Sequence, residues 1–172
     1  EDEGFEDGKG ANARLNCPCG MTVDAAGHIV VADTENNALR RVSKAGEVST
    51  LAGNGEPGLV DGQGAAARFN DPWGLAVDVD DSILVTEYGN HAVRRVTMAG
   101  LVSTVAGNGQ KGYADGEGAA ARFNLPMDVV VDKEGTILVA DFKNKRLRKI
   151  VGRTAAPARP PPPVAHPAQV PQ

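Results

Sequence analysis

The sequence predicts an all-β fold built from about three repeated, four-stranded antiparallel sheets, and three observations predict it. A unit of 54 residues recurs along the chain, as the spacing of Asp24, Asp78 and Asp132 illustrates. The composition combines 21 glycines with only 4% aromatic residues, which suits short strands joined by turns better than a helical bundle. Within each unit, short apolar segments alternate with turn-forming residues.

The repeat is the most specific signal in the sequence. Over residues 48–78, 20 of the 31 residues are identical to the residue 54 positions later, with no gaps. The matches include Arg, Phe, Asn, Asp and Pro in fixed register, so they indicate duplication and not merely a composition rich in Gly and Ala.

Each repeat predicts an antiparallel meander. In the middle repeat, the apolar segments are residues 74–78, 83–86, 92–96 and 101–105, whereas the third repeat lacks the fourth segment. Tandem four-stranded meanders of this size are typical of a β-propeller, in which each meander is a blade that buries its faces against its neighbours. We therefore predict a partial β-propeller of about three blades, the last without its fourth strand.

Long links are expected between the blades. The Ala-rich stretch of each link favours a short helical turn, and Phe69 and Phe123 are expected to dock the links onto the sheets. The predicted blades are residues 20–53, 74–107 and 127–152, the links are 1–19, 54–73 and 108–126, and a disordered Pro-rich tail is 153–172.

The middle repeat also resembles a known family. Residues 74–96 contain Gly-Leu-Ala-Val-Asp, Ile-Leu-Val-Thr-Glu and Asn-His-Ala-Val-Arg-Arg-Val, and are similar to an NHL repeat. The link pattern Asp-Gly-x-Gly-Ala-Ala-Ala-Arg-Phe is similar to that of a long-repeat subgroup, and the resemblance covers residues 5–152. It implies a propeller, usually of about six blades, that binds proteins, RNA or other ligands; one member, the peptide-amidating lyase, is a metal enzyme.

Three repeats are too few for a complete propeller, so further blades are expected as partners. Three blades cannot close a ring, because propellers use about four to eight. We therefore expect the remaining blades to come from a longer parent chain or from a second copy. The first and last blades of the chain are expected to expose apolar faces.

The leading functional hypothesis is a non-catalytic interaction scaffold, a fragment of a propeller that binds a protein or another ligand without a cofactor. Its binding surface is expected on the loop face, which we define as the end of the blades that carries the links and the turns between second and third strands. The alternative for Trp73, which is one of the predicted ligand-binding residues, is a position in the apolar core. The predicted ligand-binding residues are Trp73, Tyr88, Asn90, His91, Asn144 and Lys145.

Other repeated polar residues are predicted to be structural. An arginine in each repeat is expected to pair with an acidic residue across a hairpin. A repeated Asp-Gly is expected to form a turn in which the carboxylate accepts backbone N–H groups and the glycine has a positive φ, with a Ca²⁺ site as the alternative. The pairs are Asp33–Arg40, Glu87–Arg94 and Asp141–Arg148, and the Asp-Gly aspartates are Asp7, Asp61 and Asp115.

Two alternative functions remain open. The first is a metal-dependent enzyme of the lyase or lactonase kind, which needs several converging ligands. His28 and His91 occupy non-equivalent repeat positions, and His166 lies in the tail, so the histidines are not expected to converge. Cys17 and Cys19 are expected to be small apolar residues that fill space in the fold. An RNA-binding domain is suggested by the basic third repeat. The net charge of −4 and the pI of about 5.4 argue against nucleic acid. The basic residues are Lys143, Lys145, Arg146, Arg148 and Lys149.

Overall fold

The computed structural model describes residues 3–151 and folds them into three antiparallel sheets that follow one another along the chain. Each sheet is one blade, so the predicted all-β architecture of about three blades is confirmed. The predicted Pro-rich tail lies outside the described residues. None of the described helices is long and apolar enough to cross a membrane.

The strands have the following bounds. Blade 1 comprises β1 (Gly8–Lys9), β2 (Pro18–Val23), β3 (Ile29–Asp33), β4 (Ala38–Val42) and β5 (Glu47–Ala52). Blade 2 comprises β6 (Gly62–Gln63), β7 (Pro72–Val77), β8 (Ile83–Glu87), β9 (Ala92–Val96) and β10 (Leu101–Ala106). Blade 3 comprises β11 (Pro126–Val131), β12 (Ile137–Asp141) and β13 (Arg146–Ile150).

Blades 1 and 2 contain one strand more than the sequence predicted. Their strand orders are β1-β5-β4-β3-β2 and β6-β10-β9-β8-β7, so a two-residue strand from the preceding link lies outermost. Gly8 pairs with Val48 and Gly62 pairs with Val102. A 3₁₀ turn follows in each link, at Gly10–Asn12, Gly64–Ala66 and Gly118–Ala120, as the Ala-rich stretches predicted.

The core lies between the blades. All five residues of β8 are buried, and alternate side chains point to opposite faces of its sheet. Ile83 and Val85 join the apolar cluster shared with blade 1, whereas Leu84 joins the cluster shared with blade 3. Phe69 and Phe123, from the links, are 0% and 2% exposed and belong to these same two clusters. The blades therefore stabilise each other by covering each other's apolar faces.

The innermost strands β2, β7 and β11 lie side by side, and glycine allows the close approach. A Cβ atom on Gly20 would lie 2.0 Å from the carbonyl oxygen of Trp73. A Cβ atom on Gly74 would lie 2.6 Å from the carbonyl oxygen of Met127. Blades 1 and 2 thus carry a glycine where they contact the next blade, and the repeat-equivalent residue of blade 3 is Asp128.

Among the described residues, nothing covers the far face of blade 1, as the sequence predicted. Met21, Val23 and Ile29 are 66%, 58% and 39% exposed. The repeat-equivalent residues of blade 2 are Leu75, Val77 and Ile83, which pack against blade 1. The exposed side chains of blade 1 therefore match the surface that blade 2 uses to dock onto another blade.

Candidate functional site

One buried arginine in each blade connects the meander to the preceding link. Arg40, Arg94 and Arg148 donate from Nη1 to the acidic residue of the adjacent strand over 2.7, 2.6 and 2.9 Å. These are the three hairpin pairs expected from the sequence. Each Nη1 also donates to a link carbonyl oxygen over 3.1 Å.

The Asp-Gly aspartates bind the other side of the same guanidinium groups. Nη2 donates to Asp7, Asp61 and Asp115 over 2.8, 2.7 and 2.6 Å. The expected turn with a positive φ at glycine is wrong for two of the repeats, because Gly62 and Gly116 have no positive φ. The carboxylates pair with an arginine 33 residues later in the sequence. Asp61 also accepts the backbone N–H of Thr104 over 3.1 Å, in agreement with the expected role as a backbone acceptor.

The three arginine sites differ in electrostatics. Burial raises the pKa of Glu87 to about 7, although Arg94 and Asn90 oppose that rise. For Asp7 and Asp61, burial disfavours ionisation, but hydrogen bonds from Thr50 and Arg40, and from Thr104 and Arg94, outweigh it and hold the pKa below the ordinary value. The guanidinium of Arg94 also lies over the ring of Phe69, 5.4 Å from its centroid.

Asn90 and Asn144 lie on the loop face, but their amide groups are engaged within the blade. Asn90 donates to the carbonyl oxygen of Gly58 over 2.8 Å and to the carboxylate of Glu87. Asn144 donates to the carbonyl oxygen of Gly112 over 2.7 Å and to Asp141 over 2.8 Å. Both side chains therefore anchor a link against a blade.

His91 connects blade 2 to blade 3 on the loop face. Its backbone has a φ of 51°, as does the equivalent Asn37 at 47°. Nδ1 of His91 accepts a hydrogen bond from the backbone N–H of Leu125 over 3.2 Å, and Oδ1 of Asn37 accepts one from Asp71 over 3.0 Å. An accepting Nδ1 requires the proton on Nε2 when the ring is neutral. Lys145 is at the third equivalent position, with a φ of 55°, and its ammonium group can only donate.

Trp73 and Tyr88 lie next to each other near the axis of the three blades. Their ring centroids are 5.7 Å apart with an interplanar angle of 35°, and both side chains are half-buried. Trp73 lines an open groove of about 310 Å³ along the innermost strands together with Cys19, Met127 and Asp128. Because Trp73 faces this groove, it is not fully enclosed in a core.

A second concavity, of about 620 Å³, lies on the loop face between blades 2 and 3. We call it the loop-face concavity. Burial and the nearby charge of Lys111 lower the pKa of His91, which keeps the imidazole neutral at neutral pH. Lys111 and Lys143 are exposed. The lining residues are His91, Lys111, Gly112, Asn124, Leu125 and Lys143.

The structure separates the residues that a metal site would need. His28 is bound to Asp24 and Arg41 in the β2–β3 turn at the opposite end of the blade from His91. Cys17 and Cys19 are free, with their Sγ atoms 3.8 Å apart. Across residues 3–151, no three His, Cys, Asp or Glu side chains come together as a metal-binding group.

Sequence reasoning identified His91 and Lys143 separately but did not place Lys111 beside them. The signal was present in the repeat register, because Lys111 and Lys143 correspond to Pro57 and Gly89 in the preceding repeat. The first repeat has Glu3 and Glu35 at these positions, so the third repeat alone places basic residues there, which indicates a property that is not needed for the blade itself.

Comparison with known proteins agrees with the repeat architecture. The model of the NHL repeat matches residues 15–41, 69–96 and 123–150. The chain is 36% identical over 124 residues to NHL repeat-containing protein 2 of Bos taurus, an alignment that covers 69% of this chain and 17% of the relative. The chain thus spans less than a fifth of the length of that relative.

Two solved structures from Bacteroides thetaiotaomicron have a similar fold. A structural genomics protein of unknown function has a TM-score of 0.71 and 25% identity, covering 87% of this chain and 38% of its own. An auxiliary nutrient binding protein has a TM-score of 0.68 and 26% identity, covering 75% of this chain and 36% of its own. The 54-residue repeats, the meander topology and these similarities agree, and the chain therefore carries three NHL repeats arranged as consecutive blades of a β-propeller.

Proposed function

We propose that this chain is a non-catalytic interaction scaffold that binds an acidic protein segment on its loop face, at the loop-face concavity between blades 2 and 3. The observation that carries the proposal is the convergence of Lys111 and Lys143, one from a link and one from a strand-joining turn, around the neutral His91. Carboxylates of a partner would be attracted by the two ammonium groups, and Nε2–H of His91 adds a donor.

The repeat register supports a specific role for this basic group. The equivalent position between blades 1 and 2 has no basic residue and includes an aspartate, Asp71 in place of Leu125. A basic concavity also stands out on a chain with a net charge of −4. The equivalents of His91, Lys111, Leu125 and Lys143 are Asn37, Pro57, Asp71 and Gly89.

The hydrogen bonds and grooves of the structure reduce the number of ligand-binding residues that we propose from those predicted on the sequence. We retain His91 as a contact residue, together with Trp73, which lines the open groove along the innermost strands, and Tyr88, whose ring packs against Trp73. We assign Asn90 and Asn144 to anchoring the links, because their amide groups already donate to the carbonyl oxygens of Gly58 and Gly112 in the preceding links. Further blades, from a longer chain or a second copy, would cover the exposed apolar face of blade 1.

The test is binding of a fluorescein-labelled hexaglutamate peptide, measured by fluorescence anisotropy at low and at physiological salt. We expect saturable binding that weakens with salt and that falls at least tenfold in the double variant Lys111→Glu, Lys143→Glu. The matched control is Lys44→Glu, Lys133→Glu, which changes the same charge in turns at the opposite end of the blades and should retain binding.

Three outcomes would contradict the proposal. Equal loss of binding in both double variants would indicate attraction to overall charge and no site. Absence of binding to hexaglutamate at low salt would exclude an acidic peptide as the ligand of the concavity. Tighter binding of a uridine hexanucleotide than of the peptide, with a steep dependence on salt, would favour RNA recognition instead.

A further inference from the structure

Blade 3 has an open edge that blades 1 and 2 do not have. In blade 1, β5 covers β4 and is itself covered by β1, and in blade 2 β10 lies between β9 and β6 in the same way. Within residues 3–151, β13 has only β12 as a neighbour. The backbone groups of β13 that face outwards are therefore available for strand pairing.

The missing strand leaves apolar and charged groups uncovered. Leu147 is 78% exposed, whereas the equivalent Leu39 and Val93 are both 0% exposed, because each pairs with an alanine of the fourth strand and also packs in the apolar cluster shared with the following blade. The side chain of Asp115 is 77% exposed, compared with 51% for Asp61. Leu147 and Asp115, which would contact a fourth strand, are therefore exposed to solvent.

A cavity of about 520 Å³ occupies the position of the absent strand. Arg148, Lys149 and Ile150 of β13 line one side, residues 115–118 of the link line the other, and Phe123 lies among the apolar residues at its base. We call this cavity the strand slot. Its two sides correspond to the neighbours of β10 in blade 2, namely β9 and β6.

Blades 1 and 2 show which strand fits such a slot. The two filling strands are Glu-Val-Ser-Thr-Leu-Ala and Leu-Val-Ser-Thr-Val-Ala. In β10, the buried Val102 pairs with Val96 on one side and with Gly62 on the other. Thr104 pairs with Arg94, and its hydroxyl donates to Asp61 over 2.9 Å, as Thr50 does to Asp7 in blade 1.

The same register transfers directly to the strand slot. An incoming valine would lie between Ile150 and Gly116, because these are the equivalents of Val96 and Gly62. An incoming threonine would lie opposite Arg148 and donate to Asp115, and an alanine would cover Leu147. The slot therefore selects the pattern Val-x-Thr-x-Ala in an extended segment antiparallel to β13.

The chain does not carry this pattern at the next repeat position. The six residues that follow β10 by one repeat are Ala155–Pro160, which lie outside the described residues. Their sequence has alanine in place of both the valine and the threonine, and two prolines, which have no N–H group for a strand ladder. These six residues therefore do not supply a strand with the required pattern.

We infer that blade 3 binds a partner polypeptide by strand addition, with a Val-x-Thr-x-Ala segment of the partner inserted between β13 and residues 115–118. Main-chain hydrogen bonds to β13 would supply affinity, and the inward valine and the threonine hydroxyl would supply specificity. This site is distinct from the loop-face concavity and is independent of the acidic ligand proposed there.

The test uses the full chain and a labelled synthetic peptide that copies residues 100–108, the β10 strand with its flanks. We expect saturable binding by fluorescence anisotropy, and slower hydrogen exchange when the peptide is present for those amides of Arg146–Ile150 that point away from β12. A peptide with lysine in place of the valine should bind at least tenfold more weakly. A peptide with valine in place of the threonine should bind about fivefold more weakly, the loss expected for one hydrogen bond.

The other occupants of the slot give different results. If the outward-facing amides of β13, which do not bond to β12, are already protected in the free, monomeric chain, a segment of this chain fills the slot and the proposal is overturned. If their protection rises with protein concentration together with dimer formation, a second copy fills it and the proposal is also overturned. Equal binding of all three peptides, or no binding by any of them, would likewise exclude a sequence-selective slot.

Discussion

Arg94 and Glu87 form an ion pair in which both side chains are fully buried, with 2.6 Å between Nη1 and Oε1. The pair links β9 to β8, and the same guanidinium reaches Asp61 and two carbonyl oxygens of the link. A single side chain therefore holds three segments of blade 2 together. The equivalent residue in blade 3, Arg148, makes the same contacts beside the strand slot.

Replacement of the buried arginine should destabilise the fold more at Arg94 in blade 2 than at Arg148 in blade 3. Arg94→Met should lower the free energy of unfolding by about 3–5 kcal/mol, because it leaves Glu87 buried without its cation. Arg148→Met should cost less, because Arg148 is 9% exposed and the side chain of its partner Asp115 is 77% exposed, although Asp141 is buried. Urea unfolding monitored by circular dichroism measures both losses, and equal losses would contradict the dependence on burial.

The pH dependence of stability should reveal the burial of Glu87. Its pKa in the folded chain is raised to about 7 from an ordinary value of 4.5. A raised pKa means that the folded state favours the protonated form, so this contribution to stability is present below pH 4.5 and is lost as the pH rises through 7. Glu87→Gln should therefore flatten the decline in the free energy of unfolding between about pH 5 and pH 8.

The control for this prediction is Glu134→Gln, which alters an exposed carboxylate in the β11–β12 turn. Urea midpoints measured across the same pH range should show the unmodified slope in the control. A slope that stays unchanged in Glu87→Gln would mean that Glu87 remains ionised next to Arg94 throughout the range.

His91 should give a pH dependence of the opposite sign. Burial lowers its pKa from the ordinary 6.5, so its contribution to stability is present above pH 6.5 and is lost as the pH falls through the lower folded value. His91→Asn should retain the bond to the Leu125 N–H, as Asn37 binds the Asp71 N–H, and should remove the pH dependence. His91→Leu should cost about 1 kcal/mol at neutral pH.

Thermal unfolding at several pH values distinguishes these variants. The result that would contradict the assignment is an equal loss of stability in His91→Asn and His91→Leu, because then the acceptor atom would have no part in joining blades 2 and 3.

The sequence was sufficient to predict the blades and insufficient to predict the contacts between segments that are distant in sequence. The repeat and its apolar segments located β8, because that pattern is local and recurs. The pairing of Asp61 with Arg94 was not predicted, because turn propensity describes neighbouring residues whereas Arg94 is 33 residues away. The loop-face concavity was missed because Lys111 and Lys143 converge only when blades 2 and 3 pack together.

Close packing of the innermost strands gives a further prediction. Gly74→Ala would place a Cβ atom 2.6 Å from the carbonyl oxygen of Met127 and 2.7 Å from the Cα atom of Asp128. Neither backbone atom can move without shifting β11, so blades 2 and 3 would have to separate. We expect a loss of about 1–3 kcal/mol in the free energy of unfolding, the range for added atoms in a packed core.

The matched control is Gly112→Ala, in a link. Its Cβ atom would lie 3.3 Å from the Cδ atom of Arg122, an exposed side chain that can move aside. Neither Gly74 nor Gly112 has a positive φ, so both substitutions change the space occupied without straining the backbone. Urea unfolding should therefore show a loss for Gly74→Ala alone, and comparable losses in the two variants would mean that the contact between β7 and β11 does not limit the size of the side chain.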